Sequence, residues 1–147
     1  FNTADGQTYT FDVSPTADGA VTVDIAASVA TDTAGNNNAL ATQISITSDQ
    51  AEPMTVITAT QTSPTNADPI NFSVDFGEVV GGFVIGDLNI GNGTASNFST
   101  ADGQTYTFDV SPTAAGVVTV DIAAGVATDA AGNSNTVATQ FSITFAP

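Results

Sequence analysis

The side chains of this chain that can hold a charged ligand all do so through oxygen. The 147 residues include 15 Asp and Glu but no Lys, Arg, His or Cys. Asp129, Asn133 and Asn135 stand together in one turn-rich stretch, and Asp32, Asn36 and Asn38 in another. Further carboxylates stand at Glu78, at Asp49 and Glu52, and at Asp18. Carboxylates, amide oxygens, backbone carbonyls and water suit calcium, which takes about six to eight oxygen ligands in a tolerant geometry. The same residue types have a plainer use. Asp and Asn side chains bond their own backbone and tolerate left-handed conformations, so they also build turns. The sequence leaves both uses open.

Other chemistries find no support. A serine nucleophile has no His or Lys to serve as its base. A glycosidase needs two carboxylates facing across a cleft. Asp109 and Asp121 instead fall on outward strand positions, where they read as solvated charges. Tyr9 and Tyr106 fall on inward positions, and the chain has no Trp, so no platform for stacking sugars is evident. The formal charge is −15, and no side chain can neutralise phosphate or anionic lipid, which excludes nucleic-acid partners and adsorption to such membranes. No apolar run approaches the ~18 residues of a membrane-spanning helix. Without cysteine there are no disulfides or thiolate metal sites.

The elements that position these residues repeat. Residues 1–47 and 98–144 align without a gap at an offset of 97 residues and match at 38 of 47 positions. Self-similarity at such a period indicates a tandem array of whole domains, and ~97 residues is an ordinary domain size. Within the repeat, Tyr106, Phe108 and Val110 alternate with Thr105, Thr107 and Asp109, and Ile70, Phe72, Val74 and Phe76 with Asn71, Ser73 and Asp75. This is the period of a strand with one apolar face. Turn signals at Ser63–Pro69, Gly81-Gly82, Asn92-Gly93, Ser111–Gly116 and Asp129–Asn135 recur every ~8–12 residues, as in a β-sandwich. The pattern predicts seven strands, at roughly 54–60, 70–76, 82–85, 87–91, 104–110, 117–123 and 137–145. Residues 48–53 form a short acidic linker ending in Pro53, short enough to keep neighbouring domains in series rather than loosely tethered. The chain opens on Phe1 rather than Met, which reads as a mature or excised piece.

The run INFSVDFGEVVGGF, then DLNIGNG, then TYTFDVSPTAAGVVTVDIAAGVATDAAGN resembles the bacterial immunoglobulin-like domains that repeat in large surface adhesins and other secreted proteins. The resemblance covers 54–147 as a complete repeat and 1–47 as the C-terminal half of a preceding one. One departure is Gly77, where the family more often has Ser before the acid. The resemblance implies an all-β, immunoglobulin-like Greek-key β-sandwich in tandem. It also implies a non-enzymatic extender or adhesive module outside the cell, at the cell surface, with many such domains binding calcium near domain junctions. In such a sandwich the loop with Asp129, Asn133 and Asn135, the region of Glu78, and the linker acids Asp49 and Glu52 are expected at one end. Asp18 of the preceding copy is expected beside them, and Asp32 and Asn36 would serve the junction upstream. The expected partners are adjacent copies of the repeat, in cis or in a homopolymeric fibre. The alternatives are a glycan- or protein-binding adhesive module, or an accessory spacer of a secreted enzyme. Residues 1–47 would present an apolar face without a partner sheet. Either another copy supplies the missing strands or the chain is a section of a longer one. Asn71, Asn92 and Asn97 each begin an N-x-S/T triplet, which in a chain rich in Thr and Asn is weak grounds for glycosylation.

Overall fold

The computed structural model describes all 147 residues, which divide into two compact units, Phe1–Gln50 and Ala51–Pro147. The first unit holds β1 (Asn2–Thr3), β2 (Tyr9–Thr10), β3 (Gly19–Val23) and β4 (Ile44–Ser48). They form two separate antiparallel pairs, β1 with β2 and β3 with β4. The second unit holds β5 (Val56–Ala59), β6 (Ile70–Asp75), β7 (Leu88–Gly91), β8 (Gly93–Thr100), β9 (Thr105–Pro112), β10 (Gly116–Ile122) and β11 (Phe141–Phe145). Its two antiparallel sheets have strand orders β5-β6-β9-β8 and β11-β10-β7. This is an immunoglobulin-like β-sandwich, and no helix is long and apolar enough to cross a membrane.

The alternation in the sequence fixes which side chains enter the core. Ile70, Phe72 and Val74 of β6 face Val110, Phe108 and Tyr106 of β9 in register. Val118, Val120 and Ile122 enter from the opposite sheet, and all of these except Phe72 and Tyr106 are at most 1% exposed. The rings of Phe72 and Phe108 stack at 5.4 Å. Phe76, Phe83, Phe98 and Tyr106 close one end of the core as an aromatic cluster. Burying each large apolar side chain contributes about 1.5–3 kcal/mol, and without cysteine this packing takes the place of staples.

Three elements differ from the sequence expectation. Residues 82–85 are not a strand. Gly82 turns the chain at φ 90°, and the Asp87 carboxylate accepts the Val84 N–H at 2.8 Å, folding Ile85–Asp87 into a 3-10 turn. An unexpected strand, β8, follows. Its period is masked by a bulge between Ser96 and Ser99, where Asn97 adopts φ 51°. Asn92-Gly93 reads as a hairpin turn, but β7 and β8 belong to different sheets, so it carries the chain across the sandwich. Residues 137–140 also lie outside the last strand, which begins at Phe141.

Candidate metal centre

The loop from Gly125 to Thr136 is built on two side chains that the sequence marks as possible ligands. Asn135 is only 2% exposed. Its Oδ1 accepts the backbone N–H groups of Val126 and Ala127, both at 2.9 Å. Its Nδ2 donates to the carbonyls of Ala123 (3.0 Å) and Thr136 (2.9 Å) and to Thr55 Oγ1 (3.1 Å). Both lone pairs of the amide oxygen and both N–H groups are thus committed. Asn135 is a latch that joins the loop to the start of β5, and its oxygen is not presented to a metal.

Asp129 is nearly buried, at 8% exposure. Its Oδ1 accepts the N–H groups of Gly132 (2.7 Å) and Asn133 (2.8 Å), and its Oδ2 accepts Asn133 Nδ2 (2.8 Å). Gly132 sits at φ 96°, a conformation glycine adopts without steric cost, and so brings its N–H onto the carboxylate. Burial opposes the charge of Asp129, but the Asn133 amide and the backbone N–H groups of Asn133, Gly132 and Ala131 outweigh it. The pKa is held below the ordinary value of 3.8, so Asp129 stays ionised.

Glu78 comes from the turn after β6. That turn is pinned to the Asp129 loop by a two-way bridge: Gly81 N–H donates to Thr128 O at 2.7 Å, and Thr128 N–H to Gly81 O at 3.0 Å. Val80 is held from below, its N–H donating to Gly103 O at 2.9 Å and its carbonyl accepting Tyr106 Oη at 3.2 Å. The result sets carboxylate oxygens of Glu78 and Asp129 within 4.8 Å of one another. Like charges at that distance repel, and no cationic side chain exists in the chain to relieve them. A carboxylate oxygen has two lone pairs, and Asp129 Oδ2 accepts the Asn133 amide with one of them. An all-oxygen pair of this kind fits a hard divalent cation.

In the first unit, Asp32 and Asn36 reproduce the Asp129–Asn133 turn, with Asp32 accepting the Asn36 N–H at 2.8 Å and its Nδ2 at 2.9 Å. Asn38 reproduces the latch, accepting from Val29 and Ala30. Asp18 accepts the Gln50 N–H at 2.6 Å, closing the β3–β4 ladder of its own unit. Asp49 is exposed near the end of the first unit, and Glu52 is exposed near the start of the second. Pro53, just after them, is anchored: its carbonyl accepts the Thr136 N–H at 2.9 Å.

Sequence reasoning missed Thr55, Pro53 and Thr136 as the frame of this end. A lone Thr or Pro carries no distinctive spacing, so only contact reveals the role. It also missed that Asp109 is clamped. Asn97 Nδ2 (2.7 Å) and Asn71 Nδ2 (2.6 Å) each donate to one of its oxygens and lower its pKa. The side chain of Asn92 likewise bridges to Ala114, so all three triplet asparagines are engaged in structural hydrogen bonds.

An antiparallel sandwich with a β5-β6-β9-β8 sheet facing a β11-β10-β7 sheet defines an immunoglobulin-like module. The bacterial Ig-like domain family matches residues 49–145, and the chain belongs to that family. The match is one repeat period long and spans the sandwich of the second unit. No curated protein and no solved structure matches the chain. Domains of this family are non-catalytic structural folds, commonly found as extracellular repeat modules.

Proposed function

We propose that the chain is an extender segment of an extracellular bacterial adhesin stalk or fibre, with rigid sandwiches in series and calcium stiffening the junctions. The observation that carries this reading is the repeat itself. Two copies matching at 38 of 47 positions recur at 97 residues, and one family domain occupies 97 residues, 49–145. A binding or catalytic specialist has no reason to duplicate a surface so closely, whereas a spacer gains length with each copy. The short 48–53 stretch limits swivelling between consecutive domains.

Calcium has a specific place in this reading. Glu78 and Asp129 supply two carboxylates on a braced frame, and Glu52 lies one residue before the anchored Pro53. Asp49 lies four residues before Pro53, within ~14 Å of chain reach. Bound calcium supplies positive charge beside two acids that no cationic side chain of the chain can neutralise. The test compares thermal melts and solution scattering in calcium and in EDTA. A cation present at ~100 times its dissociation constant stabilises by about 2.7 kcal/mol, a shift of several degrees for a domain of this size. The Glu78→Gln variant is expected to lose most of the shift. Superimposable melts and an unchanged maximum dimension with and without calcium would refute the calcium role.

A further inference from the structure

Asn92-Gly93 lies between β7 and β8, where the chain passes from one sheet to the other. The fold leaves little choice of residue there. Asn92 is partly buried at φ 57°, a left-handed conformation that Asn tolerates and most residues do not. Gly93 packs so closely that a Cβ would lie 2.6 Å from Val110 Cγ1 and 3.2 Å from Ser111 O. Two residues earlier, a Cβ at Gly91 would meet the Thr119 hydroxyl. Backbone shape thus calls for Asn at 92, and packing calls for Gly at 93.

That pair also contains the most labile asparagine of the chain. Asparagine is thermolabile, and most so before glycine, where no side chain shields the following nitrogen. Every other Asn is followed by a residue that carries a side chain. In the reaction the Gly93 nitrogen attacks Asn92 Cγ. The N–Cγ bond forms and the Cγ–Nδ2 bond breaks. Ammonia leaves with the proton that the Gly93 nitrogen gives up. Water then opens the succinimide ring at either carbonyl, leaving Asp or isoaspartate at position 92.

The folded chain holds the reacting group away. Asn92 Nδ2 donates to Ala114 O at 2.9 Å, and Asn92 Oδ1 accepts the Ala114 N–H at 3.2 Å. The Asn92 carbonyl accepts the Thr113 N–H at 3.1 Å. The carboxamide is therefore fixed at both ends on the turn between β9 and β10. It cannot swing onto the Gly93 nitrogen without breaking both bonds.

We propose that Asn92 is a deamidation site gated by the fold: the Ala114 clamp keeps it intact, and opening of the crossover converts it irreversibly. The product cannot clamp again. A carboxylate has no N–H to give to Ala114 O, so two acceptors face each other. The new charge joins a chain at −15 that has no cationic side chain. Isoaspartate also lengthens the backbone by a methylene at a crossing where Gly93 has no slack. Neither calcium nor a neighbouring repeat enters this chemistry, so it stands or falls apart from the extender reading.

The experiment incubates the 147-residue chain in mildly alkaline buffer, folded and in concentrated urea, and locates deamidation by mass spectrometry after pepsin digestion. A reaction that requires opening runs in the folded chain at the unfolded rate multiplied by the open fraction. Conversion at Asn92 is expected to be about 10-fold or more slower in the folded chain. Ala114→Pro, which removes the N–H given to Oδ1, should speed conversion several-fold in chains whose amides at 70–75 and 117–122 still exchange slowly. Asn92→Asp should lower the urea unfolding midpoint. Equal rates at Asn92 in folded and unfolded chains overturn the gate, as does an unchanged rate in folded Ala114→Pro. Another Asn converting first in urea overturns the assignment of the site. Asn92→Asp with the parent midpoint overturns the loss of the clamp.

Discussion

Replacing Asn135 by alanine tests the latch. The side chain is 2% exposed and makes five hydrogen bonds, two accepted from the N–H groups of Val126 and Ala127 and three donated to Ala123 O, Thr136 O and Thr55 Oγ1. Truncation leaves two N–H groups with no acceptor in a nearly dry loop, at about 1–3 kcal/mol each. A water entering the vacated space recovers part of this. The expected loss is about 3–4 kcal/mol. With a urea slope of about 1.5 kcal/mol per molar, this lowers the unfolding midpoint by about 2 M. Asn38→Ala is the control, because Asn38 accepts from Val29 and Ala30 with the same 2.9 Å geometry. Its partners are exposed, so water replaces the lost bonds at a cost of under about 0.5–1 kcal/mol. The assay is urea unfolding followed by far-ultraviolet circular dichroism, the main transition being that of the complete sandwich. A midpoint shift below about 0.5 M for Asn135→Ala, or an equal shift for Asn38→Ala, would refute the argument that burial gives the latch its value.

The same logic of paired copies gives a second prediction. Phe108→Ala, at a site 1% exposed, should cost about 3–5 kcal/mol, while Phe11→Ala, at 46% exposure, should leave the main transition in place. Gly93→Ala tests a close approach. A Cβ there would meet Val110 Cγ1 at 2.6 Å and Ser111 O at 3.2 Å, so overpacking of about 1–3 kcal/mol is expected in the same urea assay. The pH dependence follows from carboxylates held below their ordinary value of 3.8: Asp102 by the Thr105 and Gln104 N–H groups, and Asp109 by Asn97 and Asn71. A depressed folded pKa gives stability that is full above ~3.8 and lost as pH falls through the folded value. Melting temperature should therefore hold near neutrality and drop below about pH 4, with a shallower drop in Asp102→Asn. A chain equally stable at pH 2.5 and pH 7 would contradict this.

Much of the sandwich was legible in the residues. Alternation at Ile70–Phe76 and Thr105–Val110 is a local property, because successive side chains on a strand must point to opposite faces. The strand at 93–100 was not legible. Its bulge at Asn97 breaks the period that makes a strand readable, and bulges are settled by the partner strand. The 82–85 segment failed for a related reason, since its apolar Phe83 and Val84 suit either a strand or a turn. The Asp87 carboxylate on the Val84 N–H decides between them. The candidate centre was half legible. Loop composition pointed to Asp129 and Glu78, but the same composition also marked Asn135, whose oxygen the fold uses elsewhere.

What the sequence determined alone was the strand periodicity, the 97-residue repeat and a donor set composed only of oxygen, since these follow from residue types and their spacing. Tertiary structure decided which of two near-identical halves is buried. Phe11 and Phe108 have the same neighbours along the chain and opposite environments in space, and Asn38 and Asn135 make matching bonds at different burial. Burial is a property of what packs from the other sheet, and for residues 98–144 that is the 51–97 segment, whose place no local pattern in either half encodes.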